Sequence, residues 1–257
     1  MSSIERAREV IVTIPGWEGA SVTTLPGGIT NKDYLVETER QRGVLKFDAS
    51  PRSSPLNSRA EEAAVQKQGE KAGLANAVLY FDETTYLVEY VEGDVWTPQH
   101  LDDDANLIQL AGALRKLHAM PLTGRVFDAI SAADQYRAEL EGADASIAKE
   151  HVALIESMRR PMNLCCCHND LVAANVLATP DLKFLDWEYA RDNDPFFDLA
   201  TVVEHHGLSD RQAELLLHTY FDGDGRRWER QLADQRRLYQ SLLWLWSAAR
   251  SRLFPDS

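Results

Sequence analysis

The chain reads as an α+β fold in two parts: a small antiparallel sheet with one helix, then a larger, mainly helical part. Three observations predict this. Short apolar-alternating runs separated by turn residues fill most of residues 1–92. Helical periodicity dominates from residue 93 onward, interrupted by one polar loop and hairpin at 168–186. The length of 257 residues suffices for one large core or two small ones. We therefore place one part at 1–92 and the second at 93–257.

In order, strands are expected at 21–25, 34–37, 43–47, 77–82 and 85–90. The helix former-rich block RAEEAAVQKQGEKAG interrupts them, with Gly73 as its stop. The loop DASPRSSPLNS before that block is expected to be mobile, given its Pro and Ser content. Beyond residue 93, DDDANLIQLAGALRKLHAM opens with acids that suit a helix N-terminus and keeps apolar residues at helical spacing. Further helices are expected at 131–143 and 145–158, twice after Pro195, and at 232–253.

Composition narrows the function. Hydrophobic content of 44% and charged content of 26% are those of a soluble globular protein. No apolar run approaches the roughly 20 residues of a membrane helix. The start, MSSIERAREV, lacks the apolar core of a signal peptide, so the cytoplasm is the expected location. With 40 acidic against 27 basic residues the net charge is −13, which argues against nucleic-acid and anionic-membrane partners. A small cation would be drawn in by such a field. The three cysteines, Cys165 to Cys167, are consecutive and form no disulfide framework. MNLCCCH reads as a buried strand; a metal site there with His168 lacks a second Cys/His cluster for its remaining ligands.

The chemistry concentrates in HNDLVAANVLATPDLKFLDWE. His168, Asn169 and Asp170 are followed by Asn175, and Asp186 lies sixteen positions past Asp170. Apolar runs flank a Thr-Pro-Asp turn, so a hairpin is expected to return Asp186 toward Asp170 and Asn175. Oxygen-only ligands suit Mg²⁺ with phosphate, leaving one acid as a base. His-x-Asp, four residues and then Asn is the spacing of kinase catalytic loops, where the Asp takes a hydroxyl proton and the Asn holds a metal. A polar turn capping backbone groups could use the same residues. The second Asp at the hairpin's far end favours the catalytic reading.

Other parts of a nucleotide site follow. Leu25-Pro26-Gly27-Gly28-Ile29-Thr30-Asn31 joins two strands, and adjacent glycines admit phosphate to backbone N–H groups, although a plain Gly-Gly turn looks the same. Lys46 stands in the apolar strand VLKF and is expected to face α- and β-phosphate oxygens. Its carboxylate partner is Glu61 or Glu62, and we favour Glu62. LVEYVEGD reads as a linker whose backbone near Glu89 to Val91 would pair with adenine.

Together these motifs resemble the aminoglycoside phosphotransferase and choline kinase superfamily, and within it the bacterial choline/ethanolamine kinase-like branch that includes thiamine kinases. The matching segments are LPGGITNKDYLV, VLKF, Arg59-x-x-Glu62, LVEYVEG, HNDLVAANVL and LDWEYARDNDPFFDLA, within residues 22–200. The resemblance implies a protein-kinase-like two-lobe fold and Mg²⁺-dependent transfer from ATP to a small molecule's hydroxyl. It implies Asp170 as base, Asn175 and Asp186 as Mg²⁺ ligands, Lys46 with Glu62 at the phosphates, and Asp198 as a brace of the catalytic loop. His168 would orient that loop. Asp198 could instead cap the following helix.

For the acceptor, a cationic amino alcohol such as choline or ethanolamine leads, with thiamine or an aminoglycoside as alternatives. Aromatic faces and carboxylates recognise quaternary ammonium groups. Candidates are Trp187, Glu188 and Tyr189, with Tyr239, Trp244 and Trp246 further on. LLWLWSAARSR is similar to the C-terminal helix that lines the choline pocket of choline kinases. Trp244 and Trp246 are two apart and point about 200° from each other, so both do not easily line one pocket: by the Leu-Trp-Ser match Trp246 would face the acceptor and Trp244 the core, the alternative being that both are core residues. A kinase-like binding module without activity is the contrasting class, disfavoured by the presence of Lys46, Asp170, Asn175 and Asp186 together.

Overall fold

Ile4, Ala7 and Ile11 fall at helical spacing near the N-terminus, and they form the inner face of a helix not anticipated from sequence. A computed structural model describes residues 3–25, 33–52, 55–158 and 163–253. In chain order its elements are α1 (Ser3–Ile11), β1 (Ser21–Thr24), β2 (Tyr34–Glu37), β3 (Arg42–Phe47), α2 (Arg59–Lys71), β4 (Val78–Phe81), β5 (Thr85–Glu89) and β6 (Asp94–Val95). They continue with α3 (Asp104–His118), α4 (Ala129–Ala138), α5 (Gly142–Ser157), β7 (Cys165–Cys167), β8 (Val176–Ala178), β9 (Leu182–Phe184), β10 (Arg191–Asn193), α6 (Pro195–His205), α7 (Asp210–Phe221) and α8 (Glu229–Leu253). This is the expected α+β class, and each expected strand and helix has a counterpart.

Two units result. One comprises Met1–Asp94 with Leu177–Glu188, the other Val95–Val176 with Tyr189–Ser257. The hairpin end, expected from sequence to stay with the helical part, clusters with the first unit instead.

In the first unit the antiparallel sheet runs β1-β2-β3-β5-β4. One face buries Val22, Tyr34, Val36, Leu45 and Leu87 against Ala7, Ile11, Ile14 and Trp17. Gly43 is required there, since a Cβ would come within 2.9 Å of both Leu87 and Trp17. Alternation then turns Lys46 to the other face, in register with Tyr86. Helix α2 starts with a capping box: Ser58 Oγ accepts the Glu61 N–H, and the Glu61 carboxylate accepts the Ser58 N–H at 2.8 Å. That commits Glu61 to the helix end and leaves Glu62, 1% exposed, facing inward.

The segment 177–188 is anchored to this unit by the Phe184 N–H donating to the Leu74 carbonyl at 2.7 Å and by Trp187, which is fully buried. The Trp187 indole N–H donates to the Phe184 carbonyl at 2.9 Å. Its ring lies over Gly69 of α2, where a Cβ would stand 2.8 Å away. Gly69→Ala should therefore overpack this contact and cost about 1–3 kcal/mol despite alanine's better helix propensity. An unchanged or raised melting temperature would refute the tight contact.

In the second unit β7 pairs antiparallel with β10. Helix α6 is buried from Phe196 through Val203, so nearly all its faces are enclosed. Asp194 caps it by accepting the Phe196 N–H at 3.0 Å, with Pro195 at its first position. Helix α8 buries Leu238, Leu242, Leu245 and Ala249, one stripe at helical spacing. Among the described residues, no helix is long and apolar enough to cross a membrane.

Candidate active site

The first unit gathers charge around Lys46. Its Nζ lies 3.1 Å from Asp186 and 3.7 Å from Asp33. Burial opposes its charge, but Asp186, Asp33, Glu62 and Glu188 outweigh that and hold the ammonium protonated. Asp186 adopts the left-handed backbone conformation, φ 60°, rare outside glycine and tolerated best by Asp and Asn.

Behind Lys46 lies a buried guanidinium–carboxylate network. Arg59 contacts Glu62 at 2.9 Å and Asp48 at 2.7 Å. Arg52 contacts Asp48 at 3.0 Å, Glu62 at 3.3 Å and Glu188 at 2.7 Å. The expected Lys46–Glu62 relation thus takes the form of a charge interaction, with the direct partners of Glu62 being arginines. Burial pushes the Glu62 carboxyl up, with Arg59 opposing. Burial, reinforced by Asp186, pushes Glu188 up to about 8 against the pull of Arg52. The loop expected to be mobile supplies two of these members, Asp48 and Arg52, and the fully buried Asn57.

The second unit has its own polar cluster, around Asp198. Asp198 is fully buried and accepts the His168 N–H at 2.9 Å and the Asn169 N–H at 2.8 Å. It lies inside α6 while Asp194 does the capping, so Asp198 is available to the loop. Asn169 takes φ 64° and donates to the Tyr189 carbonyl at 3.0 Å, while its own Oδ1 accepts from Asn193 at 2.8 Å. Asn175 Nδ2 donates to Asp170 Oδ2 at 3.0 Å and to the Asp170 carbonyl at 2.9 Å. Asp170 is thereby held half-buried. His118 Nε2 lies 3.0 Å from Asp198.

The expected acceptor residues divide. Trp187 is corrected to a core residue of the first unit, because the space beside Gly69 encloses its ring. Glu188 is corrected to a partner of Arg52. Tyr189 is half-buried, and its carbonyl holds Asn169. Trp246 is half-buried with Arg250 over its ring at 5.2 Å, and Trp244 stacks on His151 at 4.6 Å. Tyr239 is buried and packs edge-on against Phe197; burial pushes its phenol up, with Asp170 and Glu204 acting in the same direction. Gly27, Gly28 and Asn31 lie outside the described residues. Glu89 already uses both backbone groups, its N–H on Ala77 and its carbonyl with Asn76. Val91 comes just past that last sheet residue. Asp33, Asp48, Arg52, Asn169 and His118 have no role in the sequence reading; Asp33 and Asn169 lie within the family motifs, Asp48 and Arg52 in the loop DASPRSSPLNS, and His118 at the end of α3.

Within the first unit, Asp186 stands with Asp33 beside Lys46, and carboxylate oxygens of this kind suit a hard cation.

A model of the phosphotransferase enzyme family matches residues 21–233. The chain belongs to that family. Its relatives in the family include protein LicA of Haemophilus influenzae, 33% identical over 241 residues, covering 86% of this chain and 71% of LicA. A thiamine kinase of Escherichia coli O157:H7 is 27% identical over 197 residues, covering 74% of this chain and 69% of that one. The choline kinase LicA from Streptococcus pneumoniae shares the fold at a TM-score of 0.82 and 22% identity, covering 100% of this chain and 94% of that one.

Proposed function

We propose that the protein transfers the γ-phosphoryl group of ATP to the hydroxyl of choline or a close amino alcohol such as ethanolamine, with Mg²⁺, in the cytoplasm. The observation carrying this reading is the likeness to LicA across 86% of the chain, together with Asp170 held by Asn175 in an HNDxxxxN loop. In this reading Asp170 orients the acceptor hydroxyl and takes its proton. Asn175 Oδ1 and Asp186 would hold Mg²⁺, which supplies charge neutralisation of the phosphates. Lys46 moves from Asp186 and Asp33 toward phosphate oxygens, and Glu62 remains with its arginines. Gly27, Gly28 and Asn31 would cover the phosphates, and Val91 would meet the adenine edge more readily than Glu89.

An ammonium acceptor is favoured by the net charge of −13, whose field draws in small cations. Thiamine is the second reading, supported by the thiamine kinase relative. The test is ADP release with ATP, Mg²⁺ and choline, ethanolamine, thiamine or an aminoglycoside in turn. Turnover with choline or ethanolamine well above the others is expected. Turnover with thiamine alone would replace this reading by the second, and none with any acceptor would sink both.

A further inference from the structure

Cys165 and Cys167 point to one face of β7, and their Sγ atoms lie 3.5 Å apart. A third ligand comes from α3: the ligand atoms of His118, Cys165 and Cys167 all lie within 4.8 Å of one another. The sequence offered only His168 beside the cysteines; the fold supplies His118 instead. Its side chain is 5% exposed, Cys167 is fully buried, and Cys165 is partly accessible.

The histidine is oriented for the task. Its Nε2 faces the Asp198 carboxylate at 3.0 Å, and its Nδ1 meets the Tyr220 hydroxyl at 2.7 Å. With Nε2–H donated to Asp198, Nδ1 is the nitrogen with the lone pair. A carboxylate behind the imidazole is the usual support of a metal-bound histidine, fixing its tautomer and raising its basicity. Tyr220 also lies beside the two thiols; burial first, then their proximity, keeps its phenol protonated. Besides their mutual contact the thiols make weak contacts, Cys165 to the Asn193 carbonyl and Cys167 to the Asp194 carbonyl, each at 3.7 Å.

We propose that Cys165, Cys167 and His118 bind a thiophilic divalent cation of the Zn²⁺ and Cd²⁺ type, separately from the Mg²⁺ of phosphoryl transfer. On binding, each S–H bond breaks, its proton goes to solvent, and the sulfur electron pair goes to the cation. His118 Nδ1 gives its lone pair in place of the Tyr220 hydrogen bond, and that hydroxyl or a water completes a tetrahedral shell. Two sulfurs and an imidazole discriminate against Mg²⁺, which requires oxygen. The site adjoins the loop of Asp170 through Asp198, but it depends on no choice of acceptor.

Cd²⁺ is the probe, titrated into the full chain with Mg²⁺ in large excess. Expected are a thiolate-to-cadmium ultraviolet band saturating at one ion per chain and its displacement by Zn²⁺. Cys165→Ser should weaken binding at least ~10-fold, since losing a direct ligand exceeds the usual effect of losing a supporting residue. Cys166→Ala, on the opposite face, should keep the band. Absence of the band in the native protein, or its survival in Cys165→Ser/Cys167→Ser, would overturn the proposal. Should the double variant fail to fold, unchanged affinity in a folded Cys165→Ser would overturn it as well.

Discussion

Asp170→Ala is expected to lower kcat by about 10²–10⁴-fold while leaving ATP affinity nearly unchanged, the range seen when a positioned general base is removed. The argument rests on how Asp170 is held. Asn175 bonds both its carboxylate and its carbonyl, so the side chain is oriented by a neighbour that stays in place when Asp170 is shortened. Lys46 and Asp186, the groups proposed for the nucleotide, belong to the other unit. A loose phosphoryl transition state asks more of positioning than of basicity, so part of the loss reflects orientation of the acceptor. Asp170→Asn separates the two contributions, because it keeps the shape and loses the proton acceptor. Steady-state kcat and direct nucleotide binding on both variants provide the check. Turnover within a few-fold of native in Asp170→Asn would remove Asp170 from the role of base.

The strands are legible in sequence where they alternate, as β2, β3 and β4 do, and where turn residues such as Asp82 and the Gly27-Gly28 pair separate them. Helix α1 is hard to see in sequence because it is short and rich in charge, with Ile4, Ala7 and Ile11 marking its inner face. Which residues carry the chemistry was also legible, since Lys46 is out of keeping in an apolar strand and HND with a second Asp is a rare spacing. Their partners were not. Glu62 stands three residues from Arg59 on one helix face, and a second guanidinium arrives from a loop whose composition suggested only mobility. Pairing among five buried charges is decided by packing in three dimensions. Trp187 was misassigned for a similar reason: aromatic identity suggested a ligand surface, while the informative residue was Gly69, a glycine within a helix. The Cys/His cluster was invisible in sequence because α3 and β7 meet only in the fold.

Asp198→Ala should be among the most damaging substitutions outside the reacting groups. The carboxylate is fully buried and takes two backbone N–H groups, from His168 and Asn169, together with His118 Nε2. Alanine offers none of them an acceptor, and the enclosed α6 gives water little access. Each buried donor left without a partner costs about 1–3 kcal/mol. Three such donors imply a loss of at least about 3 kcal/mol, a large share of the roughly 5–15 kcal/mol by which a domain is stable. The melting temperature should fall by about 6–12 °C at the lower bound. Activity should fall further than the unfolded fraction explains. Asn169 takes φ 64° with its N–H, its amide and its Oδ1 all bonded, the first of these to Asp198, and Asp170 is the next residue. The distinguishing measurement is kcat of the folded fraction at low temperature, where destabilisation alone leaves turnover per folded molecule intact. A variant that melts early yet turns over normally when folded would make Asp198 a core residue and no brace of the loop.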